Sequence, residues 1–318
     1  MTNFNAASGT PQDQMHSVLK TWLTTRVEAE LTAVPDRMWH YTSAAGLKGI
    51  FETQSLWATN TAFLNDTSEF SYGVGMLLEA LADEDRSHLK ESTRGFITNL
   101  LRNDGAVFRH YLSTTVSVFV TCLCAAENQL SQWRAYTGPS SRTGGYALGF
   151  ETKSPHGWIQ TAGSEHDLRL RQVIYLPDEQ RKLCRDLVHG LVEAFDRAPQ
   201  DVGAQKAFAR CLEDGLIEFA SSVKHPDFSE EKEWRVIYQR ATDRDPLPLK
   251  FREADGVLVP YVELRLPEPT GARAGTMPVR YVQFGPNGDP VRTELGLRTF
   301  LGTYDPSIKI TGSRTPAR

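Results

Sequence analysis

The sequence contains few cysteines and no long apolar run. Its four cysteines include one close pair, Cys122 and Cys124, and no second pair at zinc-ligand spacing follows. We therefore expect buried free thiols, as in proteins of a reducing cytoplasm. No apolar stretch approaches the ~20 residues that cross a bilayer, and residues 1–14 lack the basic and apolar regions of a signal peptide. The protein is thus expected in the cytoplasm, with no membrane among its partners.

The sequence also lacks a strong charge of either sign and the common nucleotide-binding signatures. The net charge of −4 argues against a protein that coats nucleic acid, although a local basic groove is compatible with it. There is no glycine-rich dinucleotide fingerprint, no phosphate-loop signature and no His-x-x-x-His or Cys-x-x-Cys pair. No metal site is therefore expected.

Hydrophobic periodicity predicts short strands interrupted by helices, which is typical of an α+β fold with a mixed or antiparallel central sheet. Residues 1–14 are rich in polar residues and are predicted to be disordered, and residues 15–35 are predicted to contain an N-terminal helix. Residues 36–318 are expected to form a single α+β domain. Helical insertions are predicted at about residues 70–112 and 178–222 of that domain.

The individual elements follow from the same patterns. Strands are predicted at residues 39–43, 56–60, 117–124, 146–150, 168–175, 232–239, 257–266, 279–284 and 308–311. Helices are predicted at residues 15–32, 46–51, 72–82, 90–101, 130–136 and 294–302, and a pair of helices at 178–222 that is broken near 199–203.

A run of polar and aromatic residues, Trp39-His40-Tyr41-Thr42-Ser43, occupies the first predicted strand. A core strand does not need a histidine and three hydroxyls in succession, whereas a binding site can use them to hold a ligand by several hydrogen bonds. The structural alternative is a strand edge with a satisfied histidine and a helix N-cap at Thr42 or Ser43. The residues alone leave both interpretations open.

Carboxylates form two further candidate clusters. Asp66 and Glu69 follow Asn65 in a pattern typical of a helix start, in which Glu69 would be a capping-box residue. Glu231, Glu233 and Arg235 are spaced to share one strand face. If that face is exposed, it carries a weak surface ion pair. If it lines a cleft, Glu233 can act as acceptor or base and Arg235 can bind an anion.

An aromatic pair with an arginine forms the last cluster, at Trp133, Arg134 and Tyr136. Such a group can stack on a ring and hold a phosphate. The same aromatics can instead pack a helix against a sheet, which is their commoner role.

Taken in order, these motifs resemble a family of bacterial domains of unknown function, numbered 2971, over about residues 38–318. The motifs are Trp39-His40-Tyr41-Thr42-Ser43, Leu56-Trp57, Phe63-x-Asn65-Asp66-x-x-Glu69, Trp133-x-x-Tyr136, Gly145-Tyr146-Ala147-Leu148-Gly149-Phe150, Lys224-x-x-x-Phe228-x-x-Glu231-x-Glu233-Trp234-Arg235, Phe284-Gly285-Pro286 and Ser313-x-x-Pro316-x-Arg318. Several motifs in one order are far more specific than any one of them.

The order of these motifs along the chain is also similar, more loosely, to that in the split-sheet ADP-ribosyltransferase superfamily, whose enzymes use NAD as a substrate. This resemblance implies that His40 hydrogen-bonds the adenosine ribose of NAD. It implies that Glu233 binds the nicotinamide ribose and stabilises the oxocarbenium-like transition state, and that Glu231 orients the acceptor. The middle-strand motif departs from the superfamily pattern, and no aromatic residue can be assigned to stack on nicotinamide.

The resemblance extends to the remaining site residues and to partners. Residues expected to bind NAD are His40, Tyr41, Thr42, Ser43, Asn65, Trp133, Tyr136 and Arg235, and residues expected to bind the acceptor substrate are Asp66, Glu69 and Arg134. The acceptor would be nucleic acid or protein, and the enzyme would act as a toxin or phage-defence effector. An inhibitory partner is compatible with such a role.

Two other functions fit the same residues. One is a non-catalytic module that binds a nucleotide or nucleic acid. The other is a metal-dependent nuclease or phosphotransferase whose carboxylates hold magnesium. The hypotheses differ in geometry, because the transferase needs His40 and Glu233 in one cleft. The metal-dependent enzyme instead needs Asp66, Glu69 and Glu233 within bridging distance of one ion.

Overall fold

A computed structural model describes residues 10–64, 68–102, 118–136, 144–152, 168–240, 247–254, 256–265, 278–287 and 289–314. Its helices are α1 (Pro11–Ala33), α2 (Ala44–Thr53), α3 (Ser68–Asp83), α4 (Glu91–Leu101), α5 (Leu130–Tyr136), α6 (Pro177–Arg197), α7 (Val202–Ala220) and α8 (Pro290–Gly302). Its strands are β1 (Arg37–Thr42), β2 (Leu56–Asn60), β3 (Val118–Cys124), β4 (Tyr146–Glu151), β5 (Arg169–Gln172), β6 (Glu233–Gln239), β7 (Lys250–Ala254), β8 (Val257–Leu264), β9 (Val279–Phe284) and β10 (Lys309–Gly312). The predicted α+β class is confirmed.

Contacts divide the chain into two compact units, where the sequence predicted one domain with helical insertions. The helical unit comprises residues 1–32, 66–116 and 174–226, and the sheet unit comprises residues 33–65, 117–173 and 227–318. The segments predicted as insertions, together with the N-terminal helix, fall in the helical unit.

The helical unit is held together by a large apolar core. Leu77 of α3, Leu187 and Phe195 of α6 and Phe208 of α7 are fully buried in it. Gly215 allows α7 to approach α6, because a Cβ at that position would lie 2.6 Å from the Leu187 side chain. Burying such side chains stabilises a fold by about 1.5–3 kcal/mol each.

The N-terminal helix begins earlier than the sequence analysis predicted. Asp13 accepts hydrogen bonds from the backbone N–H and hydroxyl of Thr10 at 2.8 and 2.6 Å, and its own N–H donates to the Thr10 hydroxyl at 3.2 Å. This reciprocal cap starts α1 at Pro11, so residues 11–14 are helical rather than disordered. Residues 1–9 lie outside the described residues.

The strands of the sheet unit form one mixed sheet in the order β10-β9-β4-β1-β3-β2-β8-β7, with β6 and then β5 joined to β3. The β9–β10 pair is parallel, and the other strand pairs described are antiparallel. Strand β7 was not predicted, since its sequence does not alternate. It forms as the hairpin partner of β8.

The sheet splits along one edge of β3. Strand β6 pairs with β3 over its whole length, from Val118 to Cys124. The opposite edge of β3 is shared, because β1 pairs with it at Cys124 and β2 pairs with it at Val120 and Phe119. Strands β1 and β2 therefore diverge between these points, and Cys122 lies at the divergence. A split sheet is part of the predicted fold, whereas the likeness to ADP-ribosyltransferases stays a prediction.

The strand registers assign side chains to two faces, because directly opposite residues lie on the same side of a sheet. The face that we call the polar face carries Trp39, Tyr41, Cys122, Cys124, Ala147, Gly149, Arg171, Glu233, Arg235, Tyr281 and Gln283. The face that we call the apolar face carries Met38, Leu123, Leu148, Phe150, Trp234, Val236 and Val282.

The apolar face forms the core of the sheet unit with helices α2 and α8. Leu47, Ile50 and Phe51 of α2 recur at helical spacing and are buried in this core, as are Leu297 and Leu301 of α8. The functional features described below lie where the sheet splits and on the polar face.

Candidate functional site

His40 lies where the sheet splits. Its Nδ1 donates a hydrogen bond to the carbonyl oxygen of Cys122 at 2.9 Å. Because a carbonyl can only accept, this contact assigns the proton to Nδ1. Desolvation lowers the pKa of His40, and the bond to Cys122 opposes this shift only in part. The ring is therefore neutral at physiological pH. Its hydrogen bond holds β1 to β3 at the point where β1 and β2 diverge.

The strand register separates His40 from Glu233. Trp39, Cys124 and Glu233 lie directly opposite one another across β1, β3 and β6, so they share the polar face. His40 follows Trp39 in β1 and therefore belongs to the apolar face, opposite Leu148 of the apolar core. The register thus gives the two residues different faces of the sheet, and the prediction that they share one cleft, which the transferase hypothesis requires, stays a prediction.

Glu233 and Arg235 form a buried ion pair. The Arg235 Nε and Nη2 atoms donate to the two Glu233 carboxylate oxygens at 2.8 and 3.0 Å, in a bidentate arrangement. Glu233 is 4% exposed and Arg235 2% exposed, which excludes the interpretation of an exposed ion pair on a sheet face. Each charge needs the other, because an uncompensated charge in the interior is strongly destabilising.

Glu231 does not share a strand face with Glu233, contrary to the sequence-based expectation. Strand β6 begins at Glu233, and Glu231 ends a short 3₁₀ helix, Pro226–Glu231. Lys232 between them has a φ of 46°, which breaks the alternation of side chains along an extended strand.

Cys124 lies opposite Glu233 on the polar face but is not a reactive thiol. Desolvation raises its pKa to about 11, so the thiol stays protonated at neutral pH. None of the four cysteines forms a disulfide, as predicted; Cys124, Cys184 and Cys211 are buried, whereas Cys122 is half-buried.

Tyr41 and Trp133 form an aromatic pair above the polar face. Their ring centroids are 4.7 Å apart in an edge-to-face arrangement, and Trp133 is 2% exposed. A Cβ at Gly285 would lie 2.8 Å from the Trp133 ring, so glycine is required for this contact. Trp133 therefore packs α5 against the sheet, and its buried ring is not available to stack on a ligand.

The loop after β3 is fixed by the same two aromatic residues. The Tyr41 hydroxyl donates to the Ala126 carbonyl at 3.1 Å and accepts from the Gln129 N–H at 2.9 Å. The Trp133 Nε1 atom donates to Asn128 Oδ1 at 3.0 Å. Asn128 has a φ of 58°, a left-handed conformation that asparagine adopts more readily than most residues.

Asn128 also links this loop to the end of the chain. Its Oδ1 atom accepts a second hydrogen bond, from the Ser313 hydroxyl. The Ser313 N–H donates to the Phe284 carbonyl at 2.8 Å, which holds residues 313–314 beside the end of β9. Three segments that are distant in the sequence therefore meet at Asn128.

A small cavity of about 300 Å³ opens at this meeting point, lined by Glu127, Asn128, Gln283 and Arg314. Gln283 is 2% exposed. Its Oε1 atom is buried and has no hydrogen-bond partner within the described part of the chain. A buried acceptor without a partner lowers the stability of the free protein.

Of the other predicted site residues that the structure describes, none is among the residues that line this cavity. Ser43 caps α2 by accepting from the Gly46 N–H at 3.1 Å, as predicted for one of the two candidate caps. The Thr42 hydroxyl lies against Gly46, whose Cβ would be 2.0 Å away. Glu69 belongs to the helical unit, where it is buried and paired with Lys224 at 2.9 Å.

Arg134 is exposed on α5. Asn65, Asp66 and the Tyr136 side chain lie outside the described residues, so the predictions that involve them stay predictions. Within the ranges that are described, no three His, Cys, Asp or Glu side chains are grouped so as to hold a metal ion.

Sequence reasoning missed Asn128, Gln283 and Arg314. Each lies close to a recognised motif, since Gln283 precedes Phe284-Gly285 and Arg314 follows Ser313. The signal was therefore present as neighbouring motifs, but nothing in the sequence indicated that these motifs meet in space.

These features define an α+β protein whose split sheet bears a small polar cavity on one face. Residues 132–236 match the family described as Protein of unknown function (DUF2971), which confirms the predicted resemblance. The matched segment contains Trp133, Gly145 and the motif from Glu231 to Arg235. No curated protein and no solved structure matches the chain. Of the described helices, none combines the length and apolar character needed to cross a membrane.

Proposed function

We propose that this protein binds a nucleotide in the cavity lined by Glu127, Asn128, Gln283 and Arg314. The observation that carries the proposal is the polar lining of the cavity, where a guanidinium, a carboxylate and two amide side chains meet. Such donors and acceptors can hold a polar ligand by several hydrogen bonds at once.

The charges at the cavity fit the two ends of a nucleotide. The exposed Arg314 guanidinium is suited to bind a phosphate group, because its planar donors match phosphate oxygens. The Glu127 carboxylate can accept hydrogen bonds from sugar hydroxyls. The cavity volume of about 300 Å³ is at the lower end of the range for small-molecule sites.

The walls of the cavity are held in place before any ligand arrives. Asn128 is fixed by Trp133 and Ser313, and the loop that carries it is fixed by Tyr41. Gln283 lies in β9, which pairs with β4 on one side and β10 on the other. A ligand therefore orders few new groups, which favours affinity.

This geometry favours the binding-module hypothesis over catalysis. Transfer of ADP-ribose would need His40 and Glu233 to act on one NAD molecule, but their strand positions give them different faces. Glu233 is also neutralised by Arg235. NAD-dependent transfer to nucleic acid or protein, an inhibitory partner and a role in toxicity or phage defence stay predictions.

Calorimetric titration of the purified chain with AMP, ATP, ADP-ribose and NAD tests the proposal. We expect at least one of them to bind, and Arg314→Ala to weaken its binding about tenfold or more through loss of a charged hydrogen bond. Arg298→Ala is the matched control, because Arg298 is an exposed arginine of the same unit that pairs with Glu294 at 2.7 Å. Binding of none of the four ligands would overturn the proposal.

The same samples test the transferase prediction. Incubation with NAD and a cell lysate is followed by measurement of free nicotinamide, for the natural chain and for Glu233→Gln. Because the strand positions of His40 and Glu233 belong to different sheet faces, we expect no nicotinamide release above that of the lysate alone. Release that disappears in a folded Glu233→Gln variant would instead establish the transferase.

A further inference from the structure

We infer that the cavity selects ribonucleotides over deoxyribonucleotides, that the Glu127 carboxylate accepts from the two ribose hydroxyls, and that Arg37 is a positioning residue for this carboxylate. This inference rests on the proposed nucleotide binding and names the ligand class for the same site. Glu127 lines the cavity and its side chain is 49% exposed, so its carboxylate is open to a ligand.

The chemistry of a carboxylate determines which ligand group fits beside Glu127. An ionised carboxylate carries two acceptor oxygens and no donor, so turning it over does not change what it presents. The neighbouring 2′- and 3′-hydroxyls of a ribose are two donors, and an acidic side chain binds the ribose 2′-hydroxyl in dinucleotide-binding folds. A deoxyribose lacks one of these donors and therefore makes one hydrogen bond fewer with the carboxylate.

The guanidinium of Arg37 lies beside the Glu127 carboxylate and is itself held by an aromatic ring. Its central carbon is 3.7 Å from the ring centroid of Tyr281, a cation–π contact, and its Nη1 atom is 4.0 Å from a Glu127 carboxylate oxygen. The Tyr281 hydroxyl donates to Glu151 at 3.2 Å, which orients the ring. An ion pair this exposed adds little stability, but the stacked guanidinium favours one position of the carboxylate.

The phosphate site of the proposed function lies in the same cavity. Arg314 lines it together with Glu127, and the volume is only about 300 Å³. In a nucleotide the sugar carries the phosphate directly, so a phosphate bound by Arg314 brings its ribose close to the other lining residues. The cavity therefore presents a cation for the phosphate and an anion for the hydroxyls of one sugar phosphate.

The expected preference follows from the loss of one hydrogen bond to a charged acceptor. We expect AMP and ATP each to bind about tenfold more tightly than the 2′-deoxy or 3′-deoxy analogue.

The test is calorimetric titration of the natural chain and of Glu127→Ala with AMP, ATP and these analogues. Alanine removes the acceptor from an exposed position, so the variant should bind the ribose and deoxyribose forms with nearly equal affinity. The ratio of the two affinities is the readout, because loss of a negative charge near the phosphate raises both affinities. Glu294→Ala is the matched control, since Glu294 is a similarly exposed glutamate paired with an arginine. It should keep the full preference.

The positioning role of Arg37 has its own test in the same assay. Arg37→Met keeps an unbranched side chain over the Tyr281 ring without the charge, and it should lower the ribose preference about threefold. Arg37→Lys keeps a cation over the ring and should restore most of the preference. A purely structural Arg37 would alter stability and leave the ratio unchanged, so an unchanged ratio in folded Arg37→Met would overturn the positioning role.

The outcomes separate the inference from the proposed function. Equal binding of ribose and deoxyribose forms by the natural chain would overturn the inference and leave nucleotide binding standing. A preference retained in Glu127→Ala would also overturn it, because another residue would then discriminate. Failure of both AMP and ATP to bind would overturn the inference as well. Only the failure of AMP, ATP, ADP-ribose and NAD together would remove nucleotide binding itself.

Discussion

The His40 Nδ1 atom lies 2.9 Å from the carbonyl oxygen of Cys122, at the point where β1 and β2 diverge along the edge of β3. The backbone pairing of β1 with β3 is at Cys124, and beyond it one side-chain hydrogen bond joins the two strands. The histidine that looked most like a catalytic residue in the sequence therefore has a sufficient structural role. That role does not depend on NAD.

Substitution of His40 should weaken the fold. His40→Leu removes the donor to the Cys122 carbonyl, and we expect it to lower the free energy of unfolding by about 1–3 kcal/mol. His40→Asn retains a donor near the position of Nδ1, so its free energy of unfolding should fall by less. Urea unfolding of the three proteins measures both changes. Equal stability of His40→Leu and the natural chain would show that the hydrogen bond does not stabilise the fold.

The Glu233–Arg235 pair should behave as one unit. Removing either charge takes the bidentate partner away from the other buried charge, so Glu233→Leu and Arg235→Leu should each cost about 3–5 kcal/mol. The double variant should be markedly more stable than the sum of the two losses implies. A double-mutant cycle measured by chemical unfolding tests this. Strict additivity would contradict a coupled pair.

Gln283→Leu should leave the free protein as stable as the natural chain, or about 1 kcal/mol more stable, since it replaces a buried unpaired acceptor by an apolar group. Gln239→Leu breaks the hydrogen bond with Arg169 and should lower stability by about 1 kcal/mol. Thermal unfolding without ligand compares the two. A large loss of stability in Gln283→Leu would indicate that Gln283 is a structural residue.

One histidine of the helical unit should make stability depend on pH. The His88 Nε2 atom lies 2.6 Å from a Glu193 carboxylate oxygen, and this hydrogen bond raises the pKa of His88. A raised pKa in the folded state means that the stabilisation is complete below the unfolded pKa of about 6.5. It is lost as the pH rises through the folded pKa, which lies above that value.

Unfolding of the natural chain and of Glu193→Gln between about pH 6 and 8.5 measures this effect around the unfolded histidine pKa. The difference in stability between the two proteins should shrink as the pH rises. A difference that grows over this interval would have the wrong sign for a histidine with a raised pKa. Because His88 is exposed, the effect should also weaken with added salt.

Much of the secondary structure could be predicted, because its causes are local. The strand-like run Leu56–Asn60 predicted β2. The break predicted near residues 199–203 divided the long helical segment as expected, and Asp201 there caps α7 by accepting from the Ala204 N–H at 2.8 Å. Helix starts set by single caps were less certain. Asp289 caps α8 and starts it at Pro290, four residues before the predicted start.

The sequence by itself thus determined the class of fold, the Ser43 cap, most strands and the resemblance to a family. Which strands are neighbours was decided by tertiary structure, and with it the faces on which His40 and Glu233 lie. The physical reason is that side chains alternate along a strand, so a shift of one residue in register moves each side chain to the other face. The cavity at Gln283 depends on the same long-range pairing, since the strand and two loops that form it meet only in the folded chain.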